Sequence, residues 1–163
     1  MSAAEPLVIA TSPLGGSAAD VWARATTEDG VNEELRPLMR MTMPKAFKGK
    51  RIDDVEVGEP LGRSWVLLFG LIPFDYDDLC LVELEPGRRF LERSQMLSMR
   101  MWQHEREVVP AGDGCRLTDR VSFELRRPLA WIPGMSRATG AIIRRVFAHR
   151  HRRLVARWGA PSS

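Results

Sequence analysis

The spacing of apolar residues changes from segment to segment along this chain, and the changes mark its elements. Leu7 to Thr11 is a short β-like run, which Ser12-Pro13 and Gly15-Gly16 break. Ser17 then stands as the N-cap of a helix through about Thr27, with Val21, Trp22 and Ala25 on its inner face. Asp29-Gly30 ends that helix, and a second short helix runs to about Leu35 and stops before Pro37. Met39, Met41 and Met43 alternate with Arg40 and Thr42, the period-two pattern of a strand. Residues 44–62 are charged and punctuated by Gly and Pro, with weak strand character around Asp53 to Val57.

From Arg63 onward strand follows strand. Arg63 to Ile72 is one, with the Pro73–Tyr76 region as its turn. Leu79 to Glu85 is the next, closed by Pro86-Gly87, and Arg89 to Leu97 and Arg100 to Val109 follow. Ala111-Gly112-Asp113-Gly114 has the chemistry of a hairpin turn, and Arg116 to Leu125 is the last strand. Centring that hairpin near Gly112 sets Trp102 opposite Phe123, His104 opposite Val121 and Arg106 opposite Asp119. The other face then pairs Gln103 with Ser122, Glu105 with Arg120 and Glu107 with Thr118, a polar set that belongs toward solvent. Beyond a linker of Pro128, Pro133 and Gly134, one long helix spans Ser136 to Trp158. Its apolar stripe is Ile142, Ile143, Val146, Phe147, Leu154, Val155 and Trp158, and six arginines from Arg144 to Arg157 fill its other faces. The order of strand, two short helices, about six further strands and a long helix predicts an α+β fold of 6–7 antiparallel strands.

Charge sharpens the picture of the last helix. The 163 residues carry a net charge of +3, yet every acidic residue lies at or before Glu124, and nine arginines follow it. A basic tail of this kind suits a solvated helix packed on an acidic body, or a surface for an acidic partner. Nucleic-acid recognition adds stacking aromatics to a basic face, and here Phe147 and Trp158 fall on the apolar stripe, so no specific nucleic acid is expected. The start of the chain lacks the basic and apolar regions of a signal peptide, and its longest apolar run, Trp65 to Phe74, is too short to span a bilayer. Cys80 and Cys115 lack metal-type spacing and read as reduced thiols, which points to a cytoplasmic protein. His149 and His151 are two apart on a helix and cannot chelate, so neither metal nor cofactor is expected.

Four segments in this order resemble the START-like (SRPBCC) superfamily. They are Ser17-x-x-Asp20-Val21-Trp22, Trp102-x-His104, Leu117-Thr118-Asp119-x-Val121-x-Phe123 and Phe147-x-His149-Arg150-His151-x-x-Leu154. The resemblance covers nearly the whole chain as one domain. It implies a helix-grip fold, in which a curved sheet holds the C-terminal helix across an elongated cavity for a small apolar or amphipathic ligand. No catalytic motif of an enzymatic branch accompanies it.

Within such a cavity Trp102, His104, Arg106 and Asp119 form the strongest constellation. The imidazole and guanidinium could bind a ligand's carbonyl, phenol or carboxylate. Alternatively, Arg106 and Asp119 neutralise each other as a buried pair, or His104 acts as a general base beside Asp119 in a cyclase- or dehydratase-type enzyme. The expected apolar wall is Trp65, Leu67 and Phe69 on one strand, Phe123 on another, and Ile143 and Phe147 on the helix. The three methionines add adaptable surface. A third reading makes the basic helix an interaction surface. Oligomeric state is not legible in the pattern.

Overall fold

The computed structural model describes residues 6–162. These form one sheet of seven strands: β1 (Val8–Leu14), β2 (Met39–Met41), β3 (Pro60–Leu68), β4 (Ile72–Glu85), β5 (Arg89–Met96), β6 (Met99–Ala111) and β7 (Gly114–Leu125). Two short helices, α1 (Ala18–Ala25) and α2 (Glu28–Leu35), follow β1, and α3 (Met135–Trp158) closes the chain. The spatial order is β1-β7-β6-β5-β4-β3-β2, with antiparallel neighbours throughout. Register shifts in the β3–β4, β4–β5 and β6–β7 pairs add twist, and the sheet curls around α3. The predicted α+β helix-grip architecture is the one observed.

Several boundaries differ from the pattern, each for a local reason. Pro13 does not break β1, because β1 is an edge strand bonded only to β7 and can spare one N–H. Asp29-Gly30 does not end a helix. Thr27 restarts one by accepting a bond from Gly30 N through its hydroxyl, so both residues lie in the first turn of α2. The β3–β4 turn sits at Phe69–Leu71, with Phe69 at φ 53° and Gly70 at φ 75°, and Pro73–Tyr76 belong to the long strand β4. Asp53–Val57 is no strand, since Ile52–Asp54 is a single 3-10 turn, and Met43 lies beyond β2.

The β6–β7 hairpin takes the predicted register, with Trp102 opposite Phe123, His104 opposite Val121 and Arg106 opposite Asp119. On its outer face Glu105 holds Arg89 at 2.7 Å and Arg120 at 2.5 Å. The inner face carries two separate apolar clusters. One gathers Leu14, Trp22, Phe90, Val108, Leu117 and Leu154, and the other Val8, Met99, Val121, Phe123, Ile143 and Phe147. Between them β6, β7 and α3 contribute polar groups: Arg106 and His104 on β6, Asp119 on β7, and Arg150 and His151 on α3, all buried.

Gly30 shows how tightly the helical layer is built. A Cβ at this position would lie 1.9 Å from the Arg24 carbonyl oxygen. Ala normally gains about 1 kcal/mol over Gly inside a helix. Here the clash is with backbone and cannot relax, so Gly30→Ala should lower stability by about 1–3 kcal/mol, read from the urea unfolding midpoint.

Candidate functional site

Arg106 is the centre of the polar belt and is 1% exposed. Its Nε and one terminal nitrogen donate to the two carboxylate oxygens of Asp119 at 2.8 and 2.9 Å. Its terminal nitrogens donate to the two oxygens of Glu34 at 2.8 Å each and to the Ala25 carbonyl at 3.3 Å. Those five bonds use all five N–H groups of a guanidinium. Asp119 is equally saturated. Beyond the Arg106 fork it accepts from His104 Nε2 at 2.7 Å and from His151 Nε2 at 2.9 Å. An ionised carboxylate only accepts, which assigns the Nε2–H tautomer to both imidazoles. His151 Nδ1 then accepts from the Ser12 hydroxyl at 2.8 Å, and Arg150 Nε donates to Glu34 at 2.9 Å. One closed network thus joins β1, α1, α2, β6, β7 and α3.

The electrostatics follow from this geometry. Burial alone would raise the Asp119 carboxyl, but the Arg106 charge and the two histidine bonds outweigh it and hold Asp119 well below the usual carboxylate range. Burial depresses His104, and the bond to Asp119 only partly opposes it, so the ring is neutral and its Nδ1 is an acceptor. Glu92 Oε2 lies 3.8 Å from that nitrogen. Burial first, and the neighbouring Asp77 second, push Glu92 well above the usual range. Asp77 is raised by burial too, and its Oδ1 finds no donor among the described residues. The two carboxyls lie within hydrogen-bonding reach, and the Ser94 hydroxyl donates to Glu92 at 2.9 Å.

Two spaces lie between sheet and helices. The interior one, lined by His104, Arg106, Glu92, Phe90, Met43 and Arg150 among others, measures about 90 Å³. That is room for roughly three waters, well short of the ~300 Å³ or more of a small-molecule site. The second is an open cleft of about 1040 Å³ between the end of β7 and the first half of α3. Phe123, Leu125, Trp131 and Gly140 supply its apolar surface, and Arg127, Arg137 and Arg144 its charge. Those three arginines have no carboxylate partner among the described residues.

The residues singled out from the sequence are distributed unequally between these spaces. His104 and Arg106 line the interior cavity, with Asp119 locked behind them. Trp102, His104 and Phe147 meet in tilted and edge-to-face contacts with centroids 5.3–6.5 Å apart, and Ile143 and Phe123 join Phe147 in its apolar cluster. Phe123 also lines the cleft. Trp65, Leu67 and Phe69 do not reach the interior. Ser64 and Val66 are buried on the inner face of β3, while Trp65 lies outside against Tyr76, Leu67 pairs with exposed Arg40 and Pro73, and Phe69 sits in the turn. Both alternations of Ser64–Leu68 are nearly equally apolar, so parity gave no guide, and the inner parity follows the buried carboxyls of Asp75 and Asp77 opposite. Arg150 is likewise not on a solvated face, because it turns inward to Glu34. The sequence pattern does not mark Ser12, Glu34, Asp77 or Glu92, and it weighs His151 only in the helix motif and as a metal ligand. One signal was present: Arg150 and His151 occupy the gap in the helical stripe between Phe147 and Leu154.

The curled sheet and gripped helix together make up the helix-grip fold seen in START-like proteins. The chain belongs to the family described as Domain of unknown function (DUF8410), whose model matches residues 12–158. No curated protein matches it in sequence. Among solved structures it is similar to a START superfamily protein from Mycobacterium smegmatis (TM-score 0.64, 12% identity, 93% of this chain on 95% of that one). It is also similar to protein CV1439 from Chromobacterium violaceum (0.62, 13%, 90% on 95%) and to Ara h 8.0201 (0.55, 9%, 91% on 96%). At these identities the fold alone is shared. No helix among the described residues is long and apolar enough to cross a membrane.

The network sets two measurable outcomes. Arg106→Met strands two buried carboxylates and should cost about 3–5 kcal/mol, measured by denaturant unfolding at neutral pH. Glu92 has the opposite sign from Asp119. Its folded pKa is raised, so its stabilising contribution is complete below the unfolded value and is lost as pH rises through the folded one. Glu92→Gln should therefore unfold at higher urea than wild type at neutral pH, and the gain should vanish by about pH 4, near the unfolded carboxyl value.

Proposed function

We propose that this protein binds a small amphipathic molecule between the curved sheet and the C-terminal helix, in the cleft at the first half of α3. The observation that carries this reading is the contrast between the two spaces. The belt of Arg106, Asp119, Glu34 and His104 fills the interior, whereas the cleft has the volume of a ligand site. Its apolar wall at Phe123 and Gly140 suits the hydrophobic part of the ligand, and Arg137 and Arg144 suit an anionic or strongly polar end. The START-like fold supports a binding role. The two free thiols, Cys80 and Cys115, support a reducing, cytoplasmic setting.

This assigns the expected ligand-contact residues to different tasks. Phe123 touches the ligand, with Ile143 and Phe147 packed behind it. Trp102, His104, Arg106 and Asp119 hold β6, β7 and α3 together and lie outside the cleft. Binding is favoured over acid–base catalysis at His104, because a substrate there would have to be no larger than a few waters.

Gly140 provides the test, since a Cβ there would sit 3.8 Å from Phe123, an ordinary contact that leaves the fold intact. With 8-anilinonaphthalene-1-sulfonate as an amphipathic anionic probe, Gly140→Leu should weaken binding by about tenfold, equivalent to ~1.4 kcal/mol. Unchanged fluorescence titrations for Gly140→Leu and Arg144→Ala would place the probe elsewhere and overturn the assignment. Native mass spectrometry of gently purified protein should show a bound mass that Gly140→Leu loses.

A further inference from the structure

In an antiparallel meander β3, β5 and β7 finish at the same end of the sheet. The β3–β4 turn, the β5–β6 turn and the linker into α3 therefore lie together. Hydrogen bonds tie the β5–β6 turn to its neighbours on both sides: Leu97 N donates to the Tyr76 carbonyl and to Asp75 on β4, and Arg126 N at the start of the linker donates to the Ser98 carbonyl. This end gathers large apolar side chains in the open. Leu71 is 82% exposed, Trp131 67%, Phe69 64% and Ile72 58%, and Phe74, Leu97 and Ile132 are exposed beside them. Core demand does not explain them, because none packs into either apolar cluster. The tip is also held in a costly shape. Phe69 sits at φ 53°, a left-handed conformation that bulky residues rarely adopt.

The charges around this tip share one sign. Arg100, Arg126, Arg127 and Arg137 lie on or next to these segments, and Arg40 on β2 lies beside Gly70 of the β3–β4 turn. On those segments Glu124 is the one exposed carboxylate among the described residues, and Arg100 holds it at 2.5 Å. Asp75 is buried and spends its oxygens on Tyr76, Leu97 and Ser98.

We propose that this end of the molecule docks on an anionic lipid surface. Phe69, Leu71 and Ile72 enter the headgroup–acyl boundary, Trp131 sits at its edge, and the arginines meet lipid phosphates. An aliphatic and aromatic tip ringed by cations is the composition such an interface requires. A second copy of the chain fits less well. An isologous pair would set this ring of arginines against itself, with no free carboxylate to answer it. The cleft opens beside the tip, through Arg100, Arg126 and Trp131, so docking would place its mouth at the membrane.

The experiment is co-sedimentation with vesicles of phosphatidylcholine alone and of phosphatidylcholine with phosphatidylglycerol, alongside sedimentation velocity without lipid. Wild type should pellet with the anionic vesicles and remain in solution with the neutral ones, and salt should release it. Trp131 emission should shift to the blue on the anionic vesicles. Leu71→Glu, at a position free of core contacts, should cut the bound fraction by about tenfold or more, and Arg127→Glu should weaken binding to anionic vesicles. Equal pelleting of wild type and Leu71→Glu, or no pelleting of wild type, overturns the proposal. So does a lipid-free dimer that Leu71→Glu dissociates, which would assign the tip to a second copy. Leu71 does not line the cleft, so Leu71→Glu should bind 8-anilinonaphthalene-1-sulfonate there like wild type, and the two proposals fail separately.

Discussion

A single guanidinium sets the terms for the rest of this structure. Arg106 lies in the middle of the molecule with no access to water, where a lone charge would be prohibitively unstable. It is tolerated because two carboxylates and one backbone carbonyl take all of its donors in planar, forked geometry. Each partner is recruited from a different element. Asp119 ties β6 to β7 and, through His151 and Ser12, to α3 and β1. Glu34 ties them to α2 and, through Arg150, to α3 again. A closed network is satisfied only when six elements take their final positions, so it specifies the arrangement more than it adds net stability.

The same constraint divides the interior. Two apolar clusters lie on either side of the belt, and neither β6, β7 nor α3 passes from one to the other without a buried polar residue. A continuous apolar tunnel under the helix is thereby excluded, and what remains there has the size of a few waters. Open volume lies instead between the end of β7 and the first half of α3, where Gly140 places no side chain over Phe123. The position of the proposed site thus follows from where the charges are buried.

The nine arginines after Glu124 serve unlike purposes along the chain. Arg150 is structural and buried. Arg153 and Arg157 reach Glu33 on α2 and clamp the far half of the helix. Arg126, Arg127, Arg137 and Arg144 gather at the cleft mouth with no acidic body beneath them. Arg145 and Arg152 are exposed on the helix surface, so a composition-level description as a basic tail merges buried, clamped and open groups.

The sequence by itself determined the fold class, the element order and the β6–β7 register. Those rest on local signals: the Ser17 cap, the strand alternations, the Gly112 turn and the helical stripe. It also brought Trp102, His104, Arg106 and Asp119 into one constellation, because strand pairing in a hairpin is arithmetic. Tertiary structure alone decided which face of β3 looks inward, since Ser64–Leu68 is apolar on both alternations and the buried carboxyls of β4 chose between them. It alone brought Glu34, Arg150 and His151 to Arg106, from positions as much as 116 residues apart. Charged residues on helices carry no local mark of burial. Whether one faces water or a partner depends on the opposite charge that folding sets beside it.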